Sequence, residues 1–566
     1  LDRLIMSAFN AVHPEHKFRI VAPDVGGGFG SKINVYAEDV VVAYASKKIG
    51  RPVKWVAERS ESFMSDNHGR DHVTHAELAV SNDGKMIGIK VDTIANLGAY
   101  SLVLAAVTPT YLYAPLLLGI YDIPTACCTV KGVYTNTAPT DAYRGAGRPE
   151  ATYVIERIVT EAAKEIGMDQ AEFRKKNFIK KFPHQQCLVH NIDSGDYDAH
   201  LDKAIELSDY KNFENRRSQS AKKGKLRGIG FSTYFEACGV APSAVVMSIG
   251  AGVGLWESAE IRFNPTGNVS VFTGTHSHGQ SHDTTFAQIV GDKLGVAIEN
   301  IDIVHGDTDK GPFGMGTYGS RSLAVGGTAI VNACDKIIAK GKKVAAKMLE
   351  GKPEDIDFKA GEFILKNSNK KKTIGEIAFA CYLPGTFGDV KSPLPEGVEP
   401  GLVETSFFDP SNFSFPSGTH ICEVEVDEET GETKLVKYTV VDDFGTVINP
   451  LVVEGQVYGG VAQGVGQALY ENAHYDESGQ LTSASYMDYT MPRADNFPQI
   501  ALDYTCTPAT SNPLGAKGCG EAGTIAAPAA VMNAVIDAIG TDVSMPATSE
   551  KIWKILKKNG SKKAAA

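Results

Sequence analysis

The 566-residue sequence has no C-x-x-C pair: its nine cysteines (Cys127, Cys128, Cys187, Cys238, Cys334, Cys381, Cys422, Cys506 and Cys519) are odd in number and scattered. This spacing argues against a disulfide scaffold, a zinc ribbon or a ferredoxin-type cluster, and it suits a reducing cytoplasm. Basic excess is missing too. With 56 Lys and Arg against 67 Asp and Glu the net charge is −11, which leaves nothing to neutralise a phosphate backbone and sets nucleic acid aside as a partner. Neither G-x-S-x-G nor H-E-x-x-H occurs, so hydrolase and zinc-peptidase chemistry lose their usual signatures. The chain opens on Leu1 with no signal-peptide succession, which reads as a start part-way into a larger design. Asp92 to Asp122 encloses an uncharged stretch, but Thr108, Pro109, Thr110 and Pro115 interrupt it. We expect a buried or pocket-lining segment there and no membrane span.

Glycine, by contrast, is plentiful: 57 residues, about one in ten against a usual ~7%. So many φ-permissive positions suggest backbone folded closely around a ligand. Apolar periodicity predicts helices over 1–12, 33–49, 151–166, 284–294, 324–349 and 524–539, the clearest being the face of Val154, Ile155, Ile158, Val159 and Ala162. Alternation predicts a hairpin over 73–93 around Ser81-Asn82-Asp83-Gly84, and strands over 18–22, 245–249, 257–263, 269–273, 301–304, 423–426 and 433–442. Lys370 to Lys372 reads as a loop tip. The polar, basic run 212–227 reads as a linker between units at 1–211 and 228–566. The fold class is α+β, two large mixed units enclosing a ligand at their interface.

Five glycine-rich loops precede or follow these elements. Gly26-Gly27-Gly28-Phe29-Gly30-Ser31-Lys32 fits neither the dinucleotide nor the Walker template, and a structural turn explains it equally well. Tyr143-Arg144-Gly145-Ala146-Gly147-Arg148-Pro149-Glu150 opens the strongest helix with two arginines, a natural anion site. His276-Ser277-His278-Gly279-Gln280-Ser281-His282 invites a metal reading, but the residues splay after a strand, and a polar loop offering Gln280 and amides fits better. Gly316-Thr317-Tyr318-Gly319-Ser320-Arg321-Ser322 suits phosphate oxygens or plain capping. Glu521, held in Lys517-Gly518-Cys519-Gly520-Glu521 before an apolar helix, is either a general base or a capping carboxylate. Spread over the whole chain, these loops imply one large anionic ligand.

In this order, GGGFGSK, AYRGAGRPE, GTHSHGQ, GTYGSRS, INPLVVEGQVYGGVAQGVGQAL and PLGAKGCGEAG resemble the molybdenum-binding part of the xanthine oxidase family of molybdopterin hydroxylases. The similarity runs from Phe18 to Leu556. It implies a molybdenum–pterin cofactor, in bacteria commonly molybdopterin cytosine dinucleotide, with the metal held by the pterin dithiolene and by no protein side chain. Glu521 then carries over as the catalytic base of an oxidative hydroxylation with water as oxygen source. Gly28, Phe29 and Gly30 with Arg144, Gly145 and Ala146 would surround the metal's own ligands. Gly279, Gln280, Ser320, Arg321, Ser322, Gln463, Lys517, Gly518, Cys519 and Gly520 would hold pterin, phosphates or nucleotide, Ala146 would face the substrate, and Glu236 would either face it too or be a buried structural residue.

Departures narrow the class. Copper-containing CO dehydrogenases carry a cysteine where Gly145 stands. Purine enzymes carry Phe, Glu and Arg where Ala146, Ile33 and Leu112 stand. An aldehyde or N-heterocyclic carbon is therefore the expected substrate. The family's further amino-terminal segment, ending in a Ser-Thr-Gln stretch, has no counterpart here, so a separate subunit would supply it or the chain is a fragment. Electrons would leave through an Fe–S subunit and an FAD subunit. The alternatives are a reductive, dehydroxylating member of the family and a non-catalytic cofactor carrier.

Overall fold

Hydrophobic spacing and turn chemistry place most elements where the sequence puts them. The computed structural model describes residues 14–239, 242–248, 250, 254–386 and 391–565, and the helix expected over 1–12 lies outside them. After α1 (Ala37–Ile49), strands β1 (His72–Val80) and β2 (Met86–Asn96) form the expected antiparallel hairpin, with β3 (Ala126–Val133) added parallel to β2. The uncharged segment between β2 and β3 is turns around a short 3-10 helix, Ala114–Leu116, and Tyr113 and residues 116–118 are buried in the core. Helix α2 (Arg148–Glu165) buries Ala151, Ile155, Val159 and Ala163, four residues apart on one face.

The run 212–227 is not a linker. It holds α3 (Phe213–Ala221) and the start of β4 (Lys225–Phe235), with Arg216 and Arg227 reaching Glu423 at 2.6 and 2.7 Å. Glu423 is 1% exposed, so the cations that looked solvated in sequence compensate a buried acid.

Further along come β5 (Glu257–Phe263), β6 (Val269–Thr273), α4 (His282–Leu294), β7 (Ile301–Val304), α5 (Thr328–Leu349) and β8 (Leu402–Phe408). Then follow β9 (Ser417–Asp427), β10 (Thr433–Asp443), α6 (Pro450–Leu469), β11 (Ile500–Thr505) and α7 (Ala522–Ile539), with a terminal helix over Ser549–Ala565. Two four-stranded sheets result, in the orders β8-β5-β6-β7 and β11-β10-β9-β4. Three local expectations fail. Residues 243–248 form a helix where a strand was expected, a short apolar run whose period is ambiguous. Residues 18–22 contribute only the single bridge Val21 to Asp307. Lys371–Thr373 is a strand paired to 362–364 and not a loop tip.

Helix α7 organises the centre. It crosses β4 so closely that a Cβ on Gly228 or Gly230 would lie 2.1 Å from the carbonyl oxygens of Ala534 and Ala530. It meets α6 just as closely, since a Cβ on Gly464 would lie 2.6 Å from that of Ala527. The Ser322–Leu349 and Ala522–Ile539 helices are long and apolar enough to cross a membrane, but they are 67% and 89% buried inside the protein, as core helices are. This packing brings the starts of α2, α6 and α7 together with the loops after β6 and before α5.

Candidate active site

These loops wall a cavity of about 600 Å³. More than a quarter of its lining residues are glycine, against one in ten along the chain. Lys32, Arg144, Arg148 and Lys517 face it, and among the described residues the only lining carboxylates are Asp307 and Glu521. Asp307 is tied to Arg19 at 2.6 Å. Among the described residues no group of three or more His, Cys, Asp or Glu could hold a metal ion. A wall of bare backbone with surplus cations fits an anionic group that brings its own metal ligands, so these residues suit the molybdenum–pterin.

Glu521 immediately precedes α7. Its Oε1 accepts from the Gly145 N–H at 2.7 Å, its Oε2 from the Ser320 hydroxyl at 3.3 Å, and the Arg148 guanidinium lies 3.7 Å from Oε2. Its own N–H donates to the Ser320 Oγ at 3.1 Å. The Gly145 amide can point this way because the residue sits at φ 100°, in a turn where a Cβ would lie 2.4 Å from the Pro149 Cγ.

Arg144 faces the cavity with a guanidinium bonded only to neutral oxygens: Gly520 O at 2.5 Å, Gln463 Oε1 at 3.0 Å and Gln456 Oε1 at 2.8 Å. Its charge is therefore left for a ligand, although burial pulls its pKa down. Gln456 was missed in the sequence, yet it lies seven residues before Gln463 on the same helical face. Arg148, the second arginine of the expected anion site, donates to the carbonyls of Ala237 and Gly145 at 2.6 and 3.1 Å beside its contact with Glu521.

Gly28, Phe29, Gly30, Ala146, Gly279, Gln280, Ser320, Ser322, Lys517, Gly518, Cys519 and Gly520 all line the cavity. Burial pushes the Cys519 thiol up to about 12, so it is neutral. Four expected contacts lie elsewhere. Arg321 is fully buried in an ion pair with Glu257 at 3.0 Å and also bonds the carbonyls of Gly316, Leu255 and Trp256, so it holds its loop together from behind. Gln463 and Gly145 support Arg144 and Glu521 without forming the wall. Glu236 is fully buried behind Glu521, off the substrate face. Of the expected histidines, His276, His278 and His282 face the cavity; His276 and His278 meet edge to face with ring centroids 4.6 Å apart.

Such a site defines an enzyme working through a large anionic organic cofactor, with one carboxylate poised at a helix start. Comparison with known proteins narrows this. The molybdopterin cofactor-binding domain matches residues 3–178 and again, in its second form, 203–498. The carbon monoxide dehydrogenase large chain of Hydrogenophaga pseudoflava is 41% identical over 98% of this chain and 69% of its own length. The nicotine 6-hydroxylase large subunit of Paenarthrobacter nicotinovorans is 35% identical over 96% of this chain and 66% of its own. Quinoline 2-oxidoreductase from Pseudomonas putida 86 superimposes with a TM-score of 0.93 at 32% identity, covering 98% of this chain and 70% of that one. The chain belongs to the xanthine oxidase family of molybdopterin-dependent oxidoreductases and is of its molybdenum hydroxylase large-subunit type.

Proposed function

We propose that this subunit hydroxylates an aldehyde or N-heterocyclic carbon with molybdopterin cytosine dinucleotide, passing electrons to an iron–sulfur subunit and an FAD subunit in a reducing cytoplasm. The observation that carries the reading is the setting of Glu521. Its Oε1 is fixed by a short backbone N–H contact, while Oε2 has only long contacts and is the atom placed to take a proton from the cavity. When bound, the molybdenum–pterin supplies the two-electron oxidation and delivers oxygen from water. Arg144 orients the anionic group, and the glycine loops let amides approach it without side chains intervening.

The substrate class rests on the wall. Ile33, Leu112 and Ala146 all line the cavity and stand where purine enzymes, by the family resemblance, carry charged or stacking groups. Apolar residues there favour a less polar substrate, as the names of the nicotine and quinoline relatives suggest. Carbon monoxide is disfavoured because a copper-holding cysteine at Gly145 would collide with Pro149. The test is to purify the chain with its partner subunits, assay molybdenum and released cytidine nucleotide, and screen aldehydes, pyridines, quinolines and purines with an artificial electron acceptor. We expect hydroxylated product carrying oxygen from labelled water. Reduction of a substrate by a low-potential donor, or metal-loaded protein without turnover, overturns the proposal in favour of a dehydroxylating enzyme or a carrier.

A further inference from the structure

A second carboxylate lies behind the first. Glu236 directly follows β4, its N–H donating to the Pro416 carbonyl at 2.9 Å. The side chain is fully buried, and no backbone N–H among the described residues donates to either carboxyl oxygen; the donors beside it are the Ser320 hydroxyl, which it shares with Glu521, and the Cys238 thiol. Glu521 and Cys519 face it from the start of α7, Arg144 and Arg148 from the start of α2, and Ser320 from the loop before α5. Tyr234 at the end of β4 and Cys238 just beyond it are its neighbours along the chain. The guanidinium of Arg148 is spent on the carbonyls of Ala237 and Gly145, with Glu521 its nearest carboxylate.

Two carboxyl groups packed together in a buried place do not both ionise. Which one keeps the proton follows from their donors. Glu521 receives an N–H and a hydroxyl, which stabilise a charge. Glu236 receives no backbone N–H and only shares the Ser320 hydroxyl, and a buried charge with so little donation is costly, whereas a neutral acid brings its own hydrogen. On the reading of Glu521 as the cavity's base, we propose that Glu236 is a positioning residue: it holds the pair's single proton on the buried side of Glu521 and offers it as a hydrogen bond, keeping Glu521 ionised and aimed at the cavity. Consistent with this, burial and then the charge of Glu521 push the Glu236 carboxyl up to about 8.

The experiment has two arms on the full chain with its partner subunits. In infrared titration, the wild type shows a protonated-carboxyl band that vanishes as pH rises through about 8. Glu236→Gln removes this band, and Glu521→Gln shifts its loss to lower pH because a like charge is gone. In kinetics, wild-type kcat/KM falls above pH 8 as Glu236 ionises and repels Glu521, whereas Glu236→Gln, which still carries a donor, stays level there. Glu236→Leu, which cannot donate, loses about tenfold in kcat with KM unchanged. A band that persists in Glu236→Gln, a wild-type titration confined to the ordinary carboxylate range, or a Gln variant that falls above pH 8 like the wild type overturns the proposal. If no substrate turns over, the infrared arm still decides it, and only the assignment of Glu521 as base is lost.

Discussion

At the scale of single residues, Glu521 derives its role from three neighbours that are far apart in sequence: Gly145, Arg148 and Ser320. Glu521→Gln keeps the volume and the Gly145 contact while removing the proton acceptor. We expect kcat to fall by roughly 10²–10⁴ with the melting temperature unchanged, measured on metal-loaded enzyme; full turnover would remove Glu521 as the base. Arg144 is a second test. Its planar fork bonds four oxygens, three on α6 and one in the loop before α7, a geometry that Lys cannot copy. Arg144→Lys should therefore lower the molybdenum content of purified protein about tenfold or more, each 1.4 kcal/mol lost being a factor of ten in binding. Glu521 and Arg144 could be singled out in the sequence because each sits in a glycine-rich loop at a helix start. Arg321 misled for the same reason. Its loop looks equally suited to a ligand, and only the buried Glu257 across the sheet reveals that its guanidinium points inward.

Among elements, α7 shows why so much glycine lies outside the loops. Gly228 and Gly230 on β4 let the helix backbone approach the sheet. Gly230→Ala puts a methyl against the Ala530 carbonyl and should destabilise the protein by about 1–3 kcal/mol, read as a lowered urea midpoint; an unchanged midpoint would show that the helix has room to move. In this region periodicity made α7 legible but not β4 or α6, for which no strand or helix was predicted. What the pattern could not convey was register between elements, and hence which glycines serve the cavity and which serve packing. The run 212–227 makes the same point. Its arginines have the composition of a linker, and the acid that recruits them, Glu423, lies some two hundred residues later.

Taken as a whole, the molecule stores charge and proton balance in its core. Glu156 and Arg174 are both fully buried and paired at 2.8 Å, with Tyr121 and Thr233 bonded to the same carboxylate. Glu156→Leu strands the guanidinium and should cost about 3–5 kcal/mol, visible as a fall in thermal midpoint. Burial also holds three histidines neutral, His190 at about 4 and His200 and His282 at about 3, below the ordinary 6.5. The unfolded chain binds those protons first, so stability is full above pH 6.5 and declines as pH falls toward about 3. Thermal melts across that range should show a steady drop; a flat profile would mean that the histidines are solvated. The sequence by itself determined the family, the glycine loops, the candidate base and those helices and strands with clear apolar periodicity, because these depend on local spacing and on motifs in order. Only the tertiary structure decided which loops share one cavity, that Arg321 and Glu236 lie behind its wall, and that two carboxylates meet there. Such contacts depend on the approach of distant elements, to which no local pattern is coupled.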